Sequence, residues 1–124
     1  MLKNNFYLAS FILLFSSSIN ADSMGALLFH GNCITCHAET KTLSAPSIME
    51  VRENYLRAFP NKENFVEYMS DWVIKPKKES SIMLEAVDKH GLMPELGYDK
   101  ETLETISAYI YETDFTQKHA GHKE

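Results

Sequence analysis

Residues 33–37 read Cys33-Ile34-Thr35-Cys36-His37, and the interpretation of the whole chain turns on this stretch. Two thiols three positions apart on a helical turn project to one side, and an imidazole follows at once. This arrangement suits two thioether bonds to a single haem c, with His37 placed as an axial ligand to the iron. Three other uses of the pair stand beside it. A disulfide oxidoreductase also uses Cys-x-x-Cys, but expects a strand–turn–helix setting. A structural zinc site needs two more ligands, and His119 and His122 have a workable spacing, although they lie in the polar tail. A single disulfide at this spacing closes a tight, strained loop and stabilises little.

Upstream of the motif, Lys3 and the amino group precede an apolar run from Phe6 to Phe15, interrupted only by Ser10. Ser16, Ser17, Ser18 and Ala21 follow as a small-residue region. This is the layout of a secretory signal peptide, and its core is shorter than the ~20 residues of a spanning helix. The expectation is a signal peptide over residues 1–21 cleaved after Ala21, a periplasmic location, and no stable membrane insertion after cleavage. An uncleaved anchor is the alternative. Residues 22–115 then form one domain, followed by a flexible tail at 116–124.

Composition narrows the function classes. The chain has 124 residues, 44% of them hydrophobic, with 17 acids against 12 Lys plus Arg, which suits one compact domain. A formal charge of −5 gives no nucleic-acid footprint. Loss of the leader removes Lys3 and no acid, so the mature domain is slightly more acidic still. Two cysteines cannot staple a scaffold. A domain this small buries a limited share of its surface, so a large bound apolar group would help it fold.

Downstream, the periodicity is helical and no segment alternates long enough for a strand. Ser23 can cap a helix through Met24–His30 that Gly31 closes. Ile48, Val51, Tyr55 and Phe59 mark a second helix stopped by Pro60. Asn61 caps a third, carrying Phe65, Val66, Met69, Trp72 and Val73, ended by Pro76. Ser80 or Ser81 opens a short fourth that contains Ile82, Met83, Ala86 and Val87, with Gly91 beyond its end. Asp99 caps a fifth over Lys100–Glu112, with Leu103, Ile106 and Ile110 on its buried stripe. Residues 39–46 and 91–98 read as loops.

A second axial ligand is sought in the loop Gly91-Leu92-Met93-Pro94. A thioether is a soft, neutral ligand that favours reduced iron and raises the potential of a His-ligated haem. Pro94 stiffens the loop and Gly91 lets the chain turn, which favours Met93. Met24, Met49 and Met69 fall in helical patterns as core fillers. Met83, in a segment read as helical, is the competitor. His90 could ligate instead, but is expected at an exposed helix end.

With these residues in view, the chain resembles a class I cytochrome c of the small bacterial kind over nearly all of residues 23–113. In that family a glycine and an aromatic lie eight and four positions before the first cysteine, matched by Gly25 and Phe29, and meet an apolar–aromatic pair supplied by Ile106 and Tyr109. The resemblance implies an all-α cytochrome c fold of four to five short helices around one covalent haem. It also implies that the carbonyl of Pro46 accepts the second imidazole proton of His37, fixing the ring and raising its basicity. Trp72 could reach a haem propionate as in some members, or serve as a core residue on its helix. The implied function is a monomeric one-electron carrier cycling between Fe(II) and Fe(III) among redox protein partners, not an enzyme. The alternatives are a cytochrome subunit of a periplasmic oxidoreductase complex, or a haem peroxidase or sensor with a displaceable Met93. Lys75, Lys77 and Lys78 are a solvated basic cluster that, in related cytochromes, would steer partners.

Overall fold

The computed structural model describes residues 21–117, and regular structure among them is helical throughout. Helix α1 covers Ala21–Asn32, α2 Ile48–Ala58, α3 Lys62–Ile74, α4 Leu84–His90 and α5 Lys100–Glu112. The apolar run Phe6–Phe15, expected to be the core of a signal peptide, lies outside the described residues, as do His119, His122 and most of the expected tail. No helix among the described residues is long and apolar enough to cross a membrane.

Three helices start where side-chain caps allow. The Ser47 hydroxyl accepts from Glu50 N–H, the Asn61 amide oxygen from Asn64 N–H, and the Asp99 carboxylate from Thr102 N–H. Each satisfies a donor that has no partner within its own helix. Prolines set two of the ends. Phe59 before Pro60 and Lys75 before Pro76 both leave the helical region, at φ −135° and −141°. The proline ring disfavours helical backbone in the residue before it.

Two local expectations are corrected. α1 is already running at Ala21, so Ser23 lies within the helix rather than capping it. Gly31 does not close α1 either, because it keeps a negative φ and the helix continues to Asn32. The fourth helix begins later than its apolar residues suggest. A 3-10 turn at Lys78–Ser80 precedes it, and Ile82 and Met83 lie outside it. The Ser81 hydroxyl accepts from Met83 N–H in a local turn, an alternative to helical pairing that serine readily offers.

α5 is the central packing element, with α1 and α3 laid against it. Phe29, Ile48, Tyr55, Phe65, Met69, Ile106, Ile110 and Phe115 form one buried cluster. α1 and α5 approach so closely that a Cβ on Gly25 would lie 2.5 Å from the Tyr109 Cβ and 3.0 Å from the Thr105 carbonyl. Phe29, fully buried, fills the crossing against Tyr109 and Phe115 at ring separations of 5.7 and 5.9 Å. Arg52 ties α2 to the end of α5 by donating to the carbonyls of Ile110 and Tyr111. The crossing also positions the Cys33–His37 segment, which continues directly from α1.

Candidate functional site

The Cys33–His37 segment continues directly from α1. Cys33 N–H donates to Phe29 O at 2.8 Å, and His37 N–H to Cys33 O at 2.8 Å. The resulting turn leaves Cys33 half-buried and Cys36 exposed, as free thiols. Burial, with a smaller push from the neighbouring Cys36, raises the Cys33 thiol to about 11. A nucleophilic thiol in disulfide exchange needs the opposite shift. No strand flanks the motif among the described residues.

His37 is clamped by the loop that follows it. Its Nδ1–H donates to the carbonyl of Pro46 at 2.8 Å. That carbonyl is well anchored, since Pro46 is buried and the next residue caps α2. The intervening loop is pinned as Ile48 N–H donates to Ala38 O and Met49 N–H to Glu39 O. His30 adds a further tie, bridging Ala26 O at 2.7 Å and the buried Glu39 carboxylate at 2.9 Å. With Nδ1 committed, the lone pair of Nε2 is left for the cavity that His37 lines. Burial holds the imidazole below its ordinary value; the bond to Pro46 opposes that shift, and the charge of His90 reinforces it. A neutral imidazole with a fixed tautomer has the free lone pair that metal coordination requires.

Cys33, Cys36, His37, Pro46 and Met93 all line one cavity of about 390 Å³. The volume lies within the range of small-molecule and cofactor sites. α2 contributes Val51 and Tyr55, α3 Met69 and Trp72, and α5 Leu103 and Ile106. The walls are thus mostly apolar, while two thiols and an imidazole stand together at one side. This cavity could hold a large, flat, apolar group bonded covalently at one edge and coordinated from its face. Among the described residues, no cluster of three or more His, Cys, Asp or Glu is placed to hold a bare metal ion.

Met93 is half-buried in a segment without regular structure. Gly91 turns the chain into it at φ +87°, with its own N–H tied back to Val87 O. At the far end, the Tyr98 hydroxyl donates to Asn32 Oδ1 at 2.9 Å, tying the loop to the end of α1. Met83, freed from helix α4, lines the same cavity, as does Met69. Loop context therefore separates Met93 from Met83 less sharply than the sequence suggests. His90 departs furthest from expectation: it is half-buried and lines the cavity, not an exposed helix end.

Trp72 is neither a plain core residue nor an uncommitted donor. It lines the cavity while its indole N–H donates to Lys77 O at 3.0 Å. With the Tyr68 hydroxyl, which donates to Ser80 O, it anchors the long connection after α3. Of the basic cluster, Lys78 pairs with Asp88 at 2.5 Å, and Lys75 and Lys77 are exposed. Tyr98 is a site residue that sequence reasoning missed, because its partner lies 66 positions away and no local pattern links them.

No protein-family model matches the chain, and no solved structure is significantly similar to it. It is similar to an uncharacterised protein of Aquifex aeolicus (strain VF5), 22% identical over 125 residues, covering 84% of this chain and 82% of that protein. The site's chemistry therefore rests on its own residues.

Proposed function

We propose that this chain is an exported c-type cytochrome of the class I fold, a one-electron carrier with a single covalent haem c. The observation that carries the reading is the junction of Cys33, Cys36 and His37 with an apolar cavity, where the His37 Nδ1–H is already committed to Pro46. The close crossing of α1 and α5 supports it, because the resemblance sets Gly25 and Phe29 against Ile106 and Tyr109, and these residues pack there. The N-terminal layout supports export to the periplasm, where redox protein partners would meet a monomer.

Haem bound here would supply a reversible one-electron couple between Fe(II) and Fe(III). Cys33 and Cys36 would hold it as thioethers, so neither would retain thiol chemistry. His37 would offer Nε2 to the iron, with the Pro46 carbonyl fixing the ring and strengthening the donor. Met93 would offer its thioether sulfur as the second protein donor, on a loop fixed by the Gly91 turn and the Tyr98–Asn32 bond. With both donors bound, substrate would be kept from the metal, and the apolar walls would keep water out. What remains is electron exchange in weak, short-lived complexes with partners.

The test is expression of the full chain with a haem-attachment system, followed by denaturation and extraction in acidic organic solvent. Haem that stays with the polypeptide, and is lost in Cys33→Ala/Cys36→Ala, is the expected result. A wild-type chain that carries no covalent haem overturns the proposal. Loss of the far-red sulfur-to-ferric band in Met93→Ala is expected; its survival there transfers the axial role to Met83.

A further inference from the structure

We infer that His90 is a second, built-in donor for the axial position opposite His37, taking that position when Met93 is withdrawn. This rests on the cytochrome reading above and adds a ligand exchange to it.

Three observations place His90 for this role. It is the last residue of α4, half-buried, and it lines the same cavity as His37 and Met93. Ala86, Val87 and Gly91 line that cavity too, so the end of α4 forms part of its wall. His90 and Met93 also stand on separate supports. Gly91 N–H is held by Val87 O at 2.8 Å, which fixes the end of α4 and His90 with it. Beyond Gly91, at φ +87°, residues 92–98 have no regular structure. Met93 depends on the loop tied at Tyr98 to Asn32, and His90 on the hydrogen bonds of α4, so loss of one donor leaves the support of the other in place.

The chemistry gives the exchange a direction. A thioether is the softer ligand and favours ferrous iron, whereas imidazole binds ferric iron well. With haem bound, the iron–sulfur bond would break and an iron–nitrogen bond would form from a lone pair of the His90 ring. If His90 starts protonated, that proton goes to solvent. The iron's oxidation state does not change in the exchange. Exchange in the ferric state would lower the reduction potential, so oxidised protein with Met93 displaced would become a poorer electron acceptor.

The experiment compares full-chain holoprotein in four forms: wild type, Met93→Ala, Met93→Ala/His90→Ala and Met93→Ala/Met83→Leu. Denatured samples are first scored for covalent haem, then ferric spectra and midpoint potentials are recorded. Met93→Ala is expected to lose the far-red sulfur band, remain low-spin and shift to lower potential. Adding His90→Ala should convert it to high-spin ferric haem, while adding Met83→Leu should leave it low-spin. A Met93→Ala protein that is already high-spin overturns the inference, as does a low-spin state that survives His90→Ala. Should the Met93 variants fail to assemble, urea below the unfolding transition provides the same comparison. It is expected to remove the sulfur band of the wild type while the haem stays low-spin, and His90→Gln should turn that state high-spin. A low-spin state unchanged by His90→Gln overturns the inference. Absence of covalent haem from wild type overturns the underlying reading and this inference together.

Discussion

Replacing Gly25 by alanine isolates the contact that sets α1 against α5. The new methyl carbon would lie 2.5 Å from the Tyr109 Cβ and 3.0 Å from the Thr105 carbonyl oxygen. Carbon atoms in good contact sit about 3.5–4.0 Å apart, so the helices must separate by roughly 1 Å. Neither neighbour can rotate aside, since one is backbone and the other is bonded directly to it. Overpacking of this kind costs about 1–3 kcal/mol, and the rigidity of both neighbours puts the cost at the upper end. Alanine in a helix interior returns about 1 kcal/mol of propensity. The net destabilisation is then about 2 kcal/mol, or about 8–16 °C in Tm for a domain of this size. Gly31→Ala is the matched control: the same helix and the same substitution, but nothing within 4 Å of the added atom. It should stabilise by about 0.5–1 kcal/mol. Urea and thermal unfolding followed by far-UV circular dichroism measure both. A Gly25→Ala protein as stable as wild type would refute the close-approach reasoning. Trimming Tyr109 to alanine should not rescue Gly25→Ala, because the offending Cβ remains.

Phe29→Ala removes a fully buried ring from the same crossing and should cost about 3–5 kcal/mol in urea unfolding. Ser47→Ala deletes the hydroxyl that accepts from Glu50 N–H. It should cost about 1 kcal/mol by the same assay, loosening the end of α2 that follows Pro46. Acid sensitivity should involve Asp99 and Asp114. The backbone N–H and hydroxyl of Thr102 hold Asp99 low, and the hydroxyl and N–H of Thr116 hold Asp114 low, both from an ordinary 3.8. Their folded values lie below the unfolded ones, so their contribution is present above pH 3.8 and fades as pH falls through the folded values. Asp99→Asn/Asp114→Asn should flatten the acid limb of a Tm-versus-pH curve, and an unchanged limb would show that neither residue contributes. Both carboxylates are exposed, so the effect should shrink in high salt.

Helix placement was legible wherever it depends on neighbours in the chain. Asn61 and Asp99 cap the helices that follow them, and Pro60 and Pro76 end those before them, because each acts within a turn of its own position. The same locality misled at Ser23 and Gly31, whose types signal helix boundaries but whose backbone continues the helix. It misled again at Met83, where a hydroxyl two residues earlier took the amide that a helix would have used.

The sequence by itself determined the all-helical architecture and a motif whose two thiols and imidazole stand on one turn. Both follow from short-range spacing, which secondary structure converts directly into a shared face. Only the tertiary structure decided what surrounds that face. The Pro46 carbonyl reaches His37 because the loop between them is pinned to α2, and Tyr98 holds the Met93 loop through a bond to Asn32. His90 faces the cavity because of where α4 packs, a matter no local pattern encodes. Whether a residue at a helix end meets water or a ligand depends on which distant segments close around it.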